Sequence, residues 1–315
     1  MSEDPEPVRW DAIDELRGLT ILLLVIFNAF FPFVNAPEWL KHAPGNGFTI
    51  ADLIAPLFMF SVGLSYSFSF KKRRDKNPGT LNTVTHFLRR NALLIIFGVL
   101  GEMVFYGKPV FNLGVLGAIG FSSIICLPAM FLTETFRPLI AICFLIVWQM
   151  LNYMGIQAST EGLGGPSACL AWSSIILTSA SLSSIKDKKG SSFFIALLCA
   201  WLITHTGRTM TADLVPINKH LVTTSYILLS LELSLTAFAF FCIKYLAGWK
   251  TPFLSMLGKN PIILYMVSGV TSLLTSCYFE ATLPLDKIIP IAALQVSFVL
   301  LIAWLMDRKK LYVRL

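Results

Sequence analysis

Few side chains in this sequence can exchange a proton near neutral pH. Only four of the 315 residues are histidine. His42 lies in Trp39-Leu40-Lys41-His42-Ala43-Pro44-Gly45-Asn46-Gly47-Phe48, a polar, glycine-containing stretch between two apolar runs. Imidazole is the side chain best suited to general acid–base work at this pH, although a lone loop histidine is usually just solvated. The next residues, Thr49-Ile50-Ala51-Asp52, have capping-box spacing at a helix start. A carboxylate there serves the cap, and it can also orient a nearby imidazole and stabilise its cation. The two roles are compatible.

Asn28 is a second polar group in an apolar setting. At 1.5 Å per residue it sits about 15 Å beyond Gly18, near mid-membrane if this run spans a bilayer. An asparagine at that depth serves a helix–helix hydrogen bond more often than chemistry. A further group, His205, Arg208, Asn218, Lys219 and His220, surrounds a later connector. It reads either as an acceptor-binding surface or as a wet polar loop. The basic run Lys71 to Arg74, with Lys76, Arg89 and Arg90, is explained by topogenesis and lipid headgroup contact. It would also attract a polyanionic cofactor. No Walker A loop, G-x-S-x-G elbow or zinc-type Cys/His spacing occurs, so no metal is expected. The six cysteines contain no C-x-x-C pair and read as small core residues.

These groups need a scaffold, and the composition names its solvent. The chain is 55% hydrophobic and only 14% charged, with a mean hydropathy of +0.70. Soluble domains carry about a quarter charged residues. The pattern predicts an all-α, polytopic membrane helix bundle in one domain over 1–315, in the cell membrane if prokaryotic. Ten apolar segments are marked, at roughly 17–36, 49–70, 88–106, 113–132, 138–156, 166–184, 192–206, 221–243, 252–276 and 288–306. The seventh is the shortest, and Gly258, Lys259 and Pro261 interrupt the ninth. With both termini cytoplasmic, 19 of the 25 Lys and Arg fall inside and five outside, with Lys259 in a span. Residues 1–15 form a polar cytoplasmic segment without a cleavable signal peptide, so the first helix is the expected targeting signal. The net charge of +7 sits mostly beside helix ends and does not indicate nucleic acid.

Ile13-Asp14-Glu15-Leu16-Arg17-Gly18, then Asn28, then His42 through Leu53, then Pro56 and Phe58, resembles the heparan-alpha-glucosaminide N-acetyltransferase family. Pro216-Ile217-Asn218-Lys219 with Leu221, Thr223, Ser225 and Tyr226 is similar to that family's late motif, and Gly114-Val115-Leu116 is a weaker third match. The family commonly has tryptophan where Gly45 and Val222 stand, and Gln-Arg where Gly117-Ala118 stand. The resemblance implies a multi-helix membrane acyltransferase. It would carry acetyl from cytosolic acetyl-CoA to an amine or hydroxyl, of a sugar or glycan, on the outer face. It implies His42 as the acid–base residue and Asn28 as a second catalytic group, with Asp52 orienting His42. Asn46, His205, Arg208, Asn218, Lys219 and Tyr226 are the expected substrate-binding set, and Arg17 and Asp14 the expected cofactor contacts. Expected partners are acyl-CoA, an extracytoplasmic acceptor, the lipid bilayer and a second copy of the chain as a homodimer. A membrane transporter or channel for a small anionic solute is the alternative.

Overall fold

The computed structural model describes residues 10–76, 79–156, 163–185 and 190–313. Arg9, Lys186, Lys188, Lys189 and Arg314, all counted on the basic side, lie outside the described residues, as do residues 1–9. The described chain is helical, with one isolated β-bridge. The helices are α1 (Asp11–Phe30), α2 (Ile50–Lys76), α3 (Thr80–Tyr106), α4 (Gly114–Cys126), α5 (Phe136–Tyr153), α6 (Gly165–Ile185), α7 (Ser191–Thr211), α8 (Thr224–Leu246), α9 (Pro252–Gly258), α10 (Pro261–Tyr278) and α11 (Leu285–Arg308).

Every apolar segment marked in the sequence falls on a helix. Among the described residues, seven helices, α2, α5, α6, α7, α8, α10 and α11, are long and apolar enough to cross a membrane. The chain is therefore an integral, multi-pass membrane protein. The count of ten spans is not reached by length and composition, because α1 and α3 carry charges and α4 has 13 residues. The fourth segment is cut short because Pro128 has no N–H to extend the helix, and the chain tightens into a 3-10 turn over Pro128–Phe131. The ninth breaks where Gly258, Lys259 and Pro261 predict, with Pro261 opening α10 at its first turn. Segment seven is not the shortest. Its helix runs to Thr211, because the polar residues at its end pair with α8.

Contacts gather into two compact units, one of Met1–Ala36 with Ala237–Arg314 and one of Pro37–Thr236. In the first, α1 and α9 meet backbone to backbone. A Cβ on Gly18 would lie 1.8 Å from the Leu254 carbonyl oxygen, and one on Gly258 1.9 Å from that of Asp14. Arg17 donates to the Gly258 carbonyl at 3.1 Å and pairs with Asp14 at 3.1 Å, satisfying the last turn of α9. Glu15 accepts from Lys244 and from the Thr251 N–H. At the α9–α10 break, Lys259 pairs with Asp307 at 2.7 Å and the Asn260 amide donates to the Leu311 carbonyl at 2.9 Å.

In the second unit α2 and α6 are mostly buried, whereas α5 and α7 turn most of their residues outward. The outward faces carry large apolar side chains such as Ile142 and Ile146 of α5 and Leu198 and Leu202 of α7, as a lipid-facing surface requires. Between helices, small residues replace bulk. Ser173 donates to the Ser122 carbonyl and Ser122 to the Cys169 carbonyl, both at 3.2 Å, tying α4 to α6. A Cβ on Gly63 would lie 2.0 Å from the Ser179 hydroxyl and 2.4 Å from the Ile176 carbonyl. Gly63→Ala is therefore expected to wedge α2 from α6 at a cost of roughly 1–3 kcal/mol, the usual range for overpacking. A thermal melt of the detergent-solubilised protein checks this; an unchanged Tm contradicts it.

Candidate active site

The second unit holds the polar constellation, built around one carboxylate. Asp52 is the third residue of α2 and is 1% exposed. Its two oxygens do different work. Oδ2 accepts from the Thr49 N–H at 2.9 Å, completing one half of a capping box, and from the Ala43 N–H at 3.2 Å. The other half is not formed in the usual way, because the Asp52 N–H donates to the Thr49 carbonyl at 3.1 Å, while the Thr49 hydroxyl donates to the Lys41 carbonyl at 2.7 Å. Oδ1 faces His42 Nδ1 at 2.8 Å. A carboxylate only accepts, so Nδ1 carries the proton and Nε2 becomes the basic nitrogen of the neutral ring. The His42 side chain is 29% exposed, so the ring is fixed at one edge and reachable from solvent.

The loop preceding α8 supplies the other wall. Lys219 is 8% exposed, and its Nζ stands 3.9 Å from Asp52 Oδ1. Asn218 pairs with Asn46 in the isolated β-bridge, and its side-chain amide donates to Asn46 Oδ1 at 3.0 Å. The Gly47 N–H donates to the Ile217 carbonyl at 2.8 Å, and His220 Nε2 donates to the Ala43 carbonyl at 3.3 Å. Gly47 has φ of +142°, a conformation that side chains other than hydrogen rarely adopt, and this lets the loop turn into α2. Behind the site, the buried Tyr226 hydroxyl donates to the Asp52 carbonyl at 2.7 Å. Val222 adopts φ of +46°, unusual for a β-branched residue, and its carbonyl accepts from the Trp148 indole at 2.8 Å. That strained turn fixes the hydrogen bonds that hold Lys219 and Asn218 in place.

Burial sets the electrostatics. It pulls the His42 imidazole below its ordinary 6.5, opposed by the Asp52 hydrogen bond and reinforced by the Lys219 charge. Burial also pushes the Lys219 ammonium down to about 8, against the pull of Asp52. Near neutrality His42 is thus an uncharged base beside a cationic amine, an arrangement suited to taking a proton from an attacking nucleophile.

The structure gathers His42, Asp52, Asn46, Asn218, Lys219 and Tyr226 at these two loops and helix ends. Tyr226 serves there as a buried brace on the Asp52 backbone. His205 and Arg208 lie elsewhere, on α7, where both pair with Glu232 of α8 at 3.0 and 2.7 Å and Trp201 stacks on His205. Glu232 is missing from the sequence-based set, although a lone acid within an apolar run is a signal that could have found it. In the first unit, the Asn28 amide donates to the Ser268 hydroxyl at 3.0 Å, and Asp14 and Arg17 are engaged as described above. Among the described residues, no group of three or more His, Cys, Asp or Glu side chains is arranged as metal ligands.

The fold is that of a helical, multi-pass membrane protein in which a buried carboxylate orients a partly exposed histidine at a helix start. The chain belongs to the heparan-alpha-glucosaminide N-acetyltransferase family, whose catalytic-region model matches residues 9–270. It is 32% identical over 93 residues to the heparan-alpha-glucosaminide N-acetyltransferase of Mus musculus, covering 29% of this chain and 14% of that protein. The counterpart from Homo sapiens is 30% identical over 95 residues, covering 30% and 14%. The matched stretch thus spans about one seventh of each relative's length.

Removing the Lys219 charge is expected to raise the His42 pKa toward its ordinary value. Histidine-labelled NMR of Lys219→Gln in detergent reads this directly; an unchanged or lowered His42 pKa contradicts the electrostatic account.

Proposed function

We infer that this protein is a transmembrane acetyltransferase that takes acetyl from acetyl-CoA and places it on an amine or hydroxyl, with a sugar on the outer face as the acceptor class. The observation that carries the reading is the 2.8 Å pairing of His42 Nδ1 with the buried Asp52 carboxylate. Family membership supplies the reaction type. No observation favours the solute-transport alternative.

In this reading the acceptor's N–H or O–H meets Nε2 of His42. As its heteroatom bonds to the thioester carbonyl carbon, the proton passes to Nε2 and the carbonyl π electrons move onto oxygen. The resulting imidazolium is stabilised by Asp52 across the Nδ1–H bond. Collapse of the tetrahedral species breaks the C–S bond, and the CoA thiolate leaves with the proton from Nε2. Direct transfer and an acetyl-histidine intermediate both use this ring, and the second asks Nε2 to attack first. Lys219, held at the same carboxylate, keeps the ring neutral and able to begin either course. The role of Asn28 as a second catalytic group, and of Arg17 and Asp14 in CoA contact, is carried by the resemblance alone. A donor that meets a developing oxyanion typically contributes about a hundred- to a thousand-fold in rate.

The test uses the full chain in liposomes with radiolabelled acetyl-CoA and an amino-sugar acceptor. His42→Ala is expected to abolish transfer while the protein still folds and melts cooperatively, and full transfer in that variant ends the proposal. Because the working form is the neutral ring, wild-type kcat/KM is expected to fall only as pH drops through a pKa below 6.5. An acid limb centred above 6.5 contradicts the assignment.

A further inference from the structure

A second polar cavity lies away from His42, at the other end of α2. It has a volume of about 530 Å³ and lies among the last turns of α2 and α6, the 3-10 turn after α4 and the start of α5. At its base is Arg137, 7% exposed. One guanidinium nitrogen donates to the Ser184 hydroxyl at 2.8 Å and, at 3.5 Å, to the Ser67 hydroxyl and the Ala180 carbonyl. The other donates to the Met130 and Leu132 carbonyls at 3.1 and 3.2 Å. All five acceptors are neutral oxygens. The buried Nε–H has no hydrogen-bond partner. None of these hydrogen bonds goes to a carboxylate, and the charge is met only at longer range, by the Glu134 carboxylate. A buried cation without a paired anion is costly, and occupation of the cavity by an anion would relieve that cost.

The rest of the lining fits one kind of anion. Lys71 and Arg74 add positive charge at the mouth, with Arg74 lying 5.7 Å from the Phe131 ring centroid, while Asp75 and Glu134 offset part of it. Ser67, Thr133, Ser183 and Ser184 also line the cavity. Guanidinium and hydroxyl donors together suit the oxygens of a phosphate. The remaining wall is apolar, with Phe68, Phe131 and Leu132. A polar base beside an apolar wall, next to α5 with its lipid-facing outer side, matches an amphiphile better than a soluble anion.

We propose that this cavity holds the phosphate of an anionic phospholipid, with Arg137, Lys71 and Arg74 around the headgroup and the Phe68–Leu132 wall along the start of an acyl chain. The site is independent of the acetyl-transfer reading. Native mass spectrometry of the full-length, delipidated protein, titrated with dioleoyl phosphatidylglycerol, tests it. Lys71→Gln/Arg74→Gln is expected to weaken retention of one lipid by roughly fivefold for each cation removed. Lys72→Gln/Lys76→Gln removes the same charge from exposed positions outside the cavity and is expected to leave retention unchanged. Lys71 and Arg74 are substituted in place of Arg137 because Arg137 also ties together five backbone and hydroxyl oxygens, so its loss would confound folding with binding. Equal weakening in both double variants would reduce the effect to surface charge and overturn the proposal. So would retention unaffected by either, or stoichiometric displacement of the lipid by CoA, which would assign the cradle to a soluble phosphate ester.

Discussion

The proposed chemistry depends on the Asp52 carboxylate being shared. One oxygen closes the first turn of α2 through the Thr49 N–H and receives the Ala43 N–H; the other holds His42. Helix start, loop path and imidazole tautomer are therefore set by one side chain. A carboxylate buried this deeply is tolerable only when its lone pairs are filled, and here donors come from both sides of the cap with Lys219 nearby. The arrangement fixes the His42 ring at its Nδ1 edge.

The late loop performs the matching task from the far end of the sequence. Asn218 uses its backbone and its side chain to zip against Asn46, and its own carbonyl accepts from the Thr223 N–H at 3.1 Å. The Thr223 hydroxyl donates to the Pro216 carbonyl at 2.9 Å, closing the turn. These bonds are nearly all backbone-directed, so the loop shape does not depend on which acceptor the enzyme uses. Tyr226 then braces Asp52 from behind, with Trp172 against its ring at 5.9 Å. An unfilled buried carbonyl costs about 1–3 kcal/mol, which gives the tyrosine hydroxyl a structural reason to be there.

Much of this was legible in the sequence, and the reasons differ by residue. His42 and Asp52 could be paired because cap spacing places Asp52 one turn into the helix and the loop histidine just before it. The break before α10 was readable because Gly258, Lys259 and Pro261 each oppose an apolar helix interior. The contact between Asn46 and Asn218 was not, since 172 positions separate them and no local rule joins them. The late block stood out as a polar connector, and the resemblance added its motif, but neither joined it to Asn46. His205 and Arg208 were grouped with Asn218 and Lys219 by nearness in sequence. The fold instead continues α7 through them, because Glu232 offers a partner one helix away. Seven of the ten marked segments meet the length and composition of a span among the described residues; charges on α1 and a proline after α4 keep those segments from meeting it.

The central claim is that Asp52 acts on the reaction through His42 and not independently. A double-mutant cycle on acetyl transfer, with His42→Ala, Asp52→Asn and the double variant compared under one set of conditions, measures this coupling. The account predicts strong non-additivity, with the double variant no slower than His42→Ala alone. Rate losses that multiply, each residue contributing its full factor in the absence of the other, would contradict it.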